Sequence, residues 1–386
     1  MKHVALLIPT IDRIGGAERQ VLLLAHGLRR RGWRVTVVTL LGTGGTAAQE
    51  LRAEDIAHVS LDMRKALIDP RGWLRFRRWF LRERPQILHA HLPHAAWLAR
   101  ISRIFLRIPV LIDTIHTSAT GTFVRRLGYR ISDRLSDTVT AVSPSAAHAY
   151  RAAHIVSAAH LLVIPNGIDL AEWQPDPQAG AAVRSKLGID DGFLWIAAGR
   201  LEPVKNYPAL LQAFAQLPAL ARMAIAGAGP DEPPLRQLAQ TLGIEDRTHF
   251  LGFRPDLPRL LQAADGFVLA SRWEGLPMTL IEAGASAVPS VATAVPGSID
   301  VLLPEETGLL APPGDFRALA HTMRQLMEMP AEERDAMGER ARQHAHAHYD
   351  LDRILDRWES LYARLGADTH CAALAAPAPR LQPHQD

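Results

Sequence analysis

The chain has 386 residues, 48% of them apolar, which is long enough for two hydrophobic cores and too apolar for a disordered protein. Its single cysteine, Cys371, rules out an internal disulfide, and no apolar run is long enough to span a bilayer. Residues 1–165 hold 24 Lys and Arg against 11 Asp and Glu, so a net charge of only +3 conceals a basic first half and an acidic remainder.

Residues 4–8 are uniformly apolar and predict a strand entered at once, without a signal-peptide layout, so a cytoplasmic chain is expected. Residues 16–31 show helical periodicity closed by Gly32, and residues 35–40 predict the second strand. Further strands are expected at 87–89, 110–115 and 138–142, each followed by a helical stretch. This alternation is the pattern of a parallel sheet wrapped by helices. Residues 164–169 lead into Pro175 and Pro177, a stretch that reads as a linker. The pattern then restarts, with strands expected at 193–198, 223–226, 249–251, 266–270 and 290–292. Two doubly wound, Rossmann-like α/β domains in tandem, 1–168 and 169–350, imply a cleft between the carboxyl ends of both sheets.

The basic excess is densest at residues 64–84, where eight Lys and Arg alternate with Trp73, Phe76, Trp79 and Phe80. It continues through Arg100, Arg103, Arg107, Arg125, Arg126 and Arg130. Arginine mixed with tryptophan suits an anionic membrane surface, because the rings can sit at headgroup depth while each nearby charge adds about 1 kcal/mol. No nucleic-acid motif accompanies the patch, so nucleic acid is not the expected partner. The alternative arrangement turns the aromatics inward beneath a solvated arginine face.

Glu274 and Glu282 stand eight positions apart across the turn Gly275-Leu276-Pro277. Glu274 follows a strand, Pro277 suits a first helical position, and Glu282 falls about one and a half turns into the helix. Fixed carboxylates accept from sugar and ribose hydroxyls, while a helix N-terminus favours phosphate. Arg200 and Lys205 follow a strand ending at Gly199 and can project into the cleft, either as a phosphate clamp or as a solvated pair. Gly227 and Gly229 form a turn after another strand, without the third glycine of a dinucleotide fingerprint. Gly15 and Gly16 lie between the first strand and first helix, where missing Cβ atoms admit a ligand to backbone N–H groups. Glu18 can equally complement the helix dipole. His116 ends the 110–115 strand. His89, His91 and His94 cluster nearby, but they lack the ligand number and spacing of a zinc site, so no metal is expected and His91 is free to face an acceptor. Asp350 and Asp352 match an Asp-x-Asp metal pattern, yet they precede a helix and read as an N-cap.

Four segments in one order resemble retaining glycosyltransferases of family 4: Gly15-Gly16-Ala17-Glu18, Asn166-Gly167-Ile168-Asp169, Gly199-Arg200-Leu201 with Lys205, and Glu274 through Glu282. The resemblance covers all but about the last twenty residues. It implies the GT-B fold, with residues 1–168 as the acceptor domain, 169–350 as the nucleotide-sugar domain, a helix at 351–365 crossing back, and a disordered tail from 367. It further implies retaining transfer from a nucleotide sugar, UDP-linked, with no metal or other cofactor. In that picture Glu274 binds sugar hydroxyls, Glu282 the ribose and Gly227 and Gly229 the nucleotide. Arg200 and Lys205 stabilise the diphosphate, His116 steadies the reacting sugar, and Gly15 and Gly16 meet phosphate. The acceptor implied is a lipid-linked glycan for surface polysaccharide, which places the protein at the inner face of the cell membrane. Ala283-Gly284-Ala285 departs from the commoner Ala-Met-Ala. Two alternatives share the architecture. A nucleotide-sugar 2-epimerase needs an acid/base set in the cleft, and a non-catalytic nucleotide-sugar-binding subunit tolerates loss of Glu274.

Overall fold

A computed structural model describes residues 2–12, 15–64, 69–189 and 191–374. The first sheet contains β1 (His3–Ile8), β2 (Arg34–Thr39), β3 (Ala57–Ser60), β4 (Ile87–His91), β5 (Val110–Ile115), β6 (Thr138–Ala141) and β7 (Leu161–Val163) in the order β3-β2-β1-β4-β5-β6-β7. The second contains β8 (Leu194–Ala198), β9 (Arg222–Ala226), β10 (Thr248–Phe250), β11 (Gly266–Leu269), β12 (Ser290–Thr293) and β13 (Gly308–Ala311) in the order β10-β9-β8-β11-β12-β13. Every pairing is parallel, as in Val4 with Ile87 and Phe267 with Ile196. Parallel strands covered by helices on both faces need apolar side chains on both, which is why β8, and β1 after His3, read as unbroken apolar runs, while the buried Asp113 and Thr114 of β5 are hydrogen-bonded.

Both sheets reverse direction beside their first strand, between β1 and β4 in one and between β8 and β11 in the other. At such a point the following loops diverge to opposite faces and leave a crevice. The loops after β1, β8 and β11 carry Gly15, Lys205 and Glu274, and β4 ends on His91.

The strands β3, β7 and β13 are absent from the sequence-based expectation. Each has three or four residues and lies at a sheet edge, and β3 is only half-buried, so its Ala-His-Val-Ser sequence contains no apolar run. Strand β4 extends beyond residue 89 through His91 because its two histidines are buried and hydrogen-bonded.

The chain crosses between the sheets twice. Ile168 N donates to the Tyr349 carbonyl at 2.9 Å and Leu351 N to the Ile168 carbonyl at 3.0 Å, so the two crossings are stitched together. The last helix, Leu351–Leu374, lays Leu351, Ile354, Leu355, Trp358, Leu361 and Tyr362 against the core of the first sheet. Arg31 accompanies this face, donating to Asp352, Asp356 and Glu359. The helix continues past residue 365 because the residues to Leu374 contain no proline and several alanines, and each adds one hydrogen bond to an existing helix. Residues 375–386, the remainder of the tail expected to be disordered, lie outside the described residues.

In the basic helix Pro70–Glu83 the aromatics take the inward arrangement. Phe76, Trp79 and Phe80 are buried in the core, and Trp73 donates to Ser102 Oγ at 3.1 Å. The buried rings are therefore unavailable at headgroup depth, and arginines face outward together with Leu74 and Leu81. Lys65 of this cluster lies outside the described residues.

Candidate active site

The first helix, Gly16–Arg30, starts at the cleft with Gly15 as its N-cap. Glu18 Oε2 accepts from Gly15 N at 3.0 Å, so this acid closes the helix end rather than reaching a ligand. Gly16 faces the start of the second domain's Met278–Ala285 helix, and a Cβ on it would lie 3.9 Å from Met278 Cγ. The two helix N-termini thus converge across the cleft. Gln20 ties the first helix to the crossing between the domains through two bonds to the Gly167 backbone, at 2.7 and 3.0 Å.

Glu274 is buried just beyond β11, and its Oε1 accepts from Lys205 Nζ and from Ser271 Oγ, each at 2.6 Å. Its backbone is clamped as well. Ser118 Oγ donates to the Glu274 carbonyl at 2.5 Å, and Glu274 N donates to the Pro296 carbonyl at 3.2 Å. Gly275 lies against the other domain so closely that a Cβ would stand 2.1 Å from the carbonyl oxygen of His116. Only a residue without a side chain permits that approach. Leu276 is buried in the second core, and Pro277 is the N-cap rather than the first helical residue, because at ψ 97° its carbonyl accepts the first helical bonds while its own backbone remains extended.

Glu282 is buried inside the helix that follows, and burial raises its carboxyl pKa while Arg19 opposes the rise. Arg19 Nη1 approaches Glu282 Oε1 to 3.4 Å, its Nη2 donates to Glu172 Oε2 at 3.0 Å, and its guanidinium lies 5.6 Å from the centre of Trp173. A first-domain cation thereby reaches the carboxylate expected to hold ribose.

His116 directly follows β5 and pairs through Nε2 with His91 Nδ1 at 3.1 Å, one ring donating and the other accepting. Burial holds His116 down at about 4 and His91 well below the usual histidine range, so both are neutral at pH 7. His91 Nε2 and His116 Nδ1 are buried without a hydrogen-bond partner among the described residues. Next to His91, Leu92 adopts φ 70°, ψ 156°, a strained conformation for a branched residue and one that concentrates at functional sites. His89 lies with its ring centre 4.1 Å from that of His91, but its nitrogens are taken, by Tyr362 of the last helix at 2.8 Å and Thr114 at 2.6 Å. His94 stacks near Trp97 instead of joining the other histidines. Among the described residues no three His, Cys, Asp or Glu side chains converge as a metal site. Asp350 Oδ1 accepts from Asp352 N, the local cap bond expected of that pair.

Arg200 is not joined to the Lys205–Glu274 pair. Its side chain is 66% exposed and bonds Glu202 at 3.0 Å. Gly227 and Gly229 support the loop that carries it: Cβ atoms there would stand 1.9 Å from the Gly199 carbonyl oxygen and 2.3 Å from that of Leu201. Arg19, Ser118 and Ser271 escape sequence reasoning. Arg19 adjoins Gly15-Gly16-Ala17-Glu18 in sequence, but nothing local announces its partner in the other half of the chain.

Two facing parallel sheets with carboxylates, a lysine and neutral histidines at their switch points define a glycosyltransferase of the GT-B fold. The family description "Glycosyltransferase Family 4" matches residues 14–172 and "Glycosyl transferases group 1" matches residues 181–344. The chain is 31% identical over 304 residues to N-acetyl-alpha-D-glucosaminyl L-malate synthase of Bacillus anthracis, covering 73% of this chain and 75% of that protein. It is 27% identical to UDP-Gal:alpha-D-GlcNAc-diphosphoundecaprenol alpha-1,3-galactosyltransferase of Escherichia coli, over 63% of this chain and 66% of that one. The crystal structure of HepE from Anabaena with UDP-glucose superposes with a TM-score of 0.83 at 23% identity, covering 93% of this chain and 99% of that one. The chain belongs to glycosyltransferase family 4.

Proposed function

We propose that the protein transfers a hexose or N-acetylhexosamine from a uridine diphosphate sugar, with retention of configuration and without metal, to a lipid-linked or saccharide acceptor in surface polysaccharide biosynthesis. The observation that carries this reading is the Lys205–Glu274–Ser271 cluster held against His116 by the close approach of Gly275. Because Glu274 Oε1 already accepts two bonds, this carboxylate suits holding sugar hydroxyls better than attacking carbon. Departure of the diphosphate from the face that the acceptor enters then accounts for retention. The anomeric C–O bond to UDP breaks, the bond to the acceptor oxygen forms on the same face, and the acceptor proton passes to the diphosphate.

In this scheme Lys205 and Arg200 neutralise the charge that develops on the departing diphosphate, the role otherwise given to a metal. Glu282 accepts from the ribose, Gly227 and Gly229 border the nucleotide, and the neutral His116 lies beside the sugar. Gly15 and Gly16 offer helix N–H groups to phosphate, and His91 serves the acceptor side through His116. The uridine choice is supported by the bound donor in HepE, and the lipid-linked acceptor by the E. coli relative.

Transfer assays with UDP-glucose, UDP-galactose, UDP-N-acetylglucosamine and GDP-mannose test the reading. Each is run in EDTA, with a detergent-solubilised polyprenyl-diphosphate sugar beside a soluble sugar acceptor. Retained anomeric configuration with a UDP sugar and the lipid acceptor is expected. Exclusive use of the soluble acceptor removes the lipid assignment, and release of an epimerised nucleotide sugar without transfer overturns the reaction class.

A further inference from the structure

The Pro93–Phe105 and Phe123–Ser132 helices each carry an apolar stripe that does not face the core. Their inner faces pack on the sheet and on one another, with the Trp97 and Tyr129 ring centres 6.1 Å apart. An ordinary surface helix buries one apolar stripe and presents polar residues outward. Here the outward stripe of the first helix is Ile101, Ile104 and Phe105, and that of the second is Phe123, Val124, Leu127 and Ile131. Five of these, Ile104, Phe105, Phe123, Val124 and Ile131, are between 62% and 75% exposed. Isolated exposed apolar residues are unremarkable, whereas seven repeating at helical spacing on two touching helices form a patch.

The charge around the patch has one sign. Arg126, Arg130 and Arg134 repeat at four-residue spacing beside the second stripe, and Arg107 follows the first; all four are exposed. The neighbouring helix adds Arg77, one turn beyond the Trp73 that stacks on Phe105. From residue 93 to 134 the acids are Asp113 and Asp133, and both are buried. Among the described residues, no carboxylate forms an ion pair with Arg77, Arg107, Arg126, Arg130 or Arg134, and Asp137 is engaged by Arg103.

We infer that this face docks on an anionic lipid bilayer, with the aliphatic and phenylalanine side chains entering the headgroup–acyl boundary and the arginines pairing with lipid phosphates. A second copy of the chain fits poorly, since it would bring the same arginine array opposite itself with nothing to neutralise either. Nucleic acid would satisfy the arginines but give Ile104 and Ile131 no apolar environment. The site geometry agrees with a bilayer. The two helices follow β4 and β5, whose ends carry His91 and His116, so Phe123 and Val124 stand on the cleft side of the domain. A glycan headgroup rising from the bilayer would meet the cleft there. This inference deepens the lipid-linked reading of the acceptor and rests on it for its purpose, while vesicle binding needs no donor and no turnover.

The test is co-sedimentation of the whole chain with phosphatidylcholine vesicles containing phosphatidylglycerol and with pure phosphatidylcholine. Wild type, Phe123→Ser/Ile131→Ser and Arg126→Ala/Arg130→Ala are compared, with the UDP-induced thermal shift recorded for each. Wild type should bind the anionic vesicles and release with salt. Each arginine removed should lower the partition coefficient about fivefold, and the apolar pair should abolish binding. The UDP shift should persist in all three, separating loss of docking from loss of fold or of the donor site. Failure of wild type to bind anionic vesicles, equal binding by the variants, or equal binding to neutral vesicles overturns the inference. So does capture of a DNA duplex in place of vesicles, or a self-association that Phe123→Ser/Ile131→Ser removes.

Discussion

Lys205 Nζ donates to Glu274 Oε1 at 2.6 Å, although the two residues come from loops after different strands of the second sheet. The pair supplies a cation for phosphate and a carboxylate for sugar from a single ion pair. Lys205→Ala and Glu274→Gln should each lower kcat by about 10²–10³, the usual cost of removing one group that stabilises transition-state charge. Because the partners act together, the double variant should lose far less than the product of the single losses. Steady-state kinetics of the three variants checks this, and additive losses would mean that the groups serve separate steps.

Gly275→Ala puts a methyl group 2.1 Å from the His116 carbonyl oxygen, and a backbone oxygen cannot swing aside as a flexible side chain would. The two domains must then part where the sugar is held. Transfer should fall by about 10²-fold, as expected for a displacement near 1 Å in a positioned site. The unliganded melting temperature should change little, since neither core is touched. A melting curve beside kcat/KM distinguishes this from general destabilisation.

Arg100 is fully buried and bonds Asp113, Ser136, Ser132 and the Tyr129 carbonyl, with Nε to Asp113 Oδ2 at 2.6 Å. Arg100→Met leaves Asp113 buried without its cation, where burial already pushes its carboxyl pKa up against the pull of Arg100. The loss should be about 3–5 kcal/mol. Arg100→Met/Asp113→Leu should recover much of it, because both charges are then gone. Urea unfolding of the two variants measures the difference.

Burial depresses His89 to about 3 and His116 to about 4, against 6.5 when unfolded. Each folded pKa lies below its unfolded value, so the unfolded chain binds more protons between them. The stabilisation is complete above pH 6.5 and is lost as pH falls toward 4 and then 3. Denaturation midpoints should therefore drop steeply between pH 6.5 and 4. His89→Gln, which can still bond Tyr362 and Thr114, should flatten that slope while losing some stability at pH 7.5. An unchanged slope would assign the acid sensitivity to other groups.

The duplicated α/β architecture is legible in the chain because parallel buried strands demand local runs such as residues 4–8 and 110–115, and helices demand their own period. Glu274, Glu282, Lys205 and Gly15 are legible for a related reason: each occupies a fixed offset from a strand end or helix start, and that offset is a property of a few consecutive residues. The edge strand β3 is only half-buried, so its Ala-His-Val-Ser sequence needs no apolar run and leaves none to read. Only the tertiary structure decides that the aromatics of residues 70–83 turn inward while Phe105 and Phe123 of the next two helices face out, since helical spacing is identical for either face. It alone brings Arg19 to Glu282, His91 to His116 and Gly275 under the His116 carbonyl. Those contacts depend on strand order and on two crossings between domains, and sequence periodicity reports which residues lie along one element, not which elements meet.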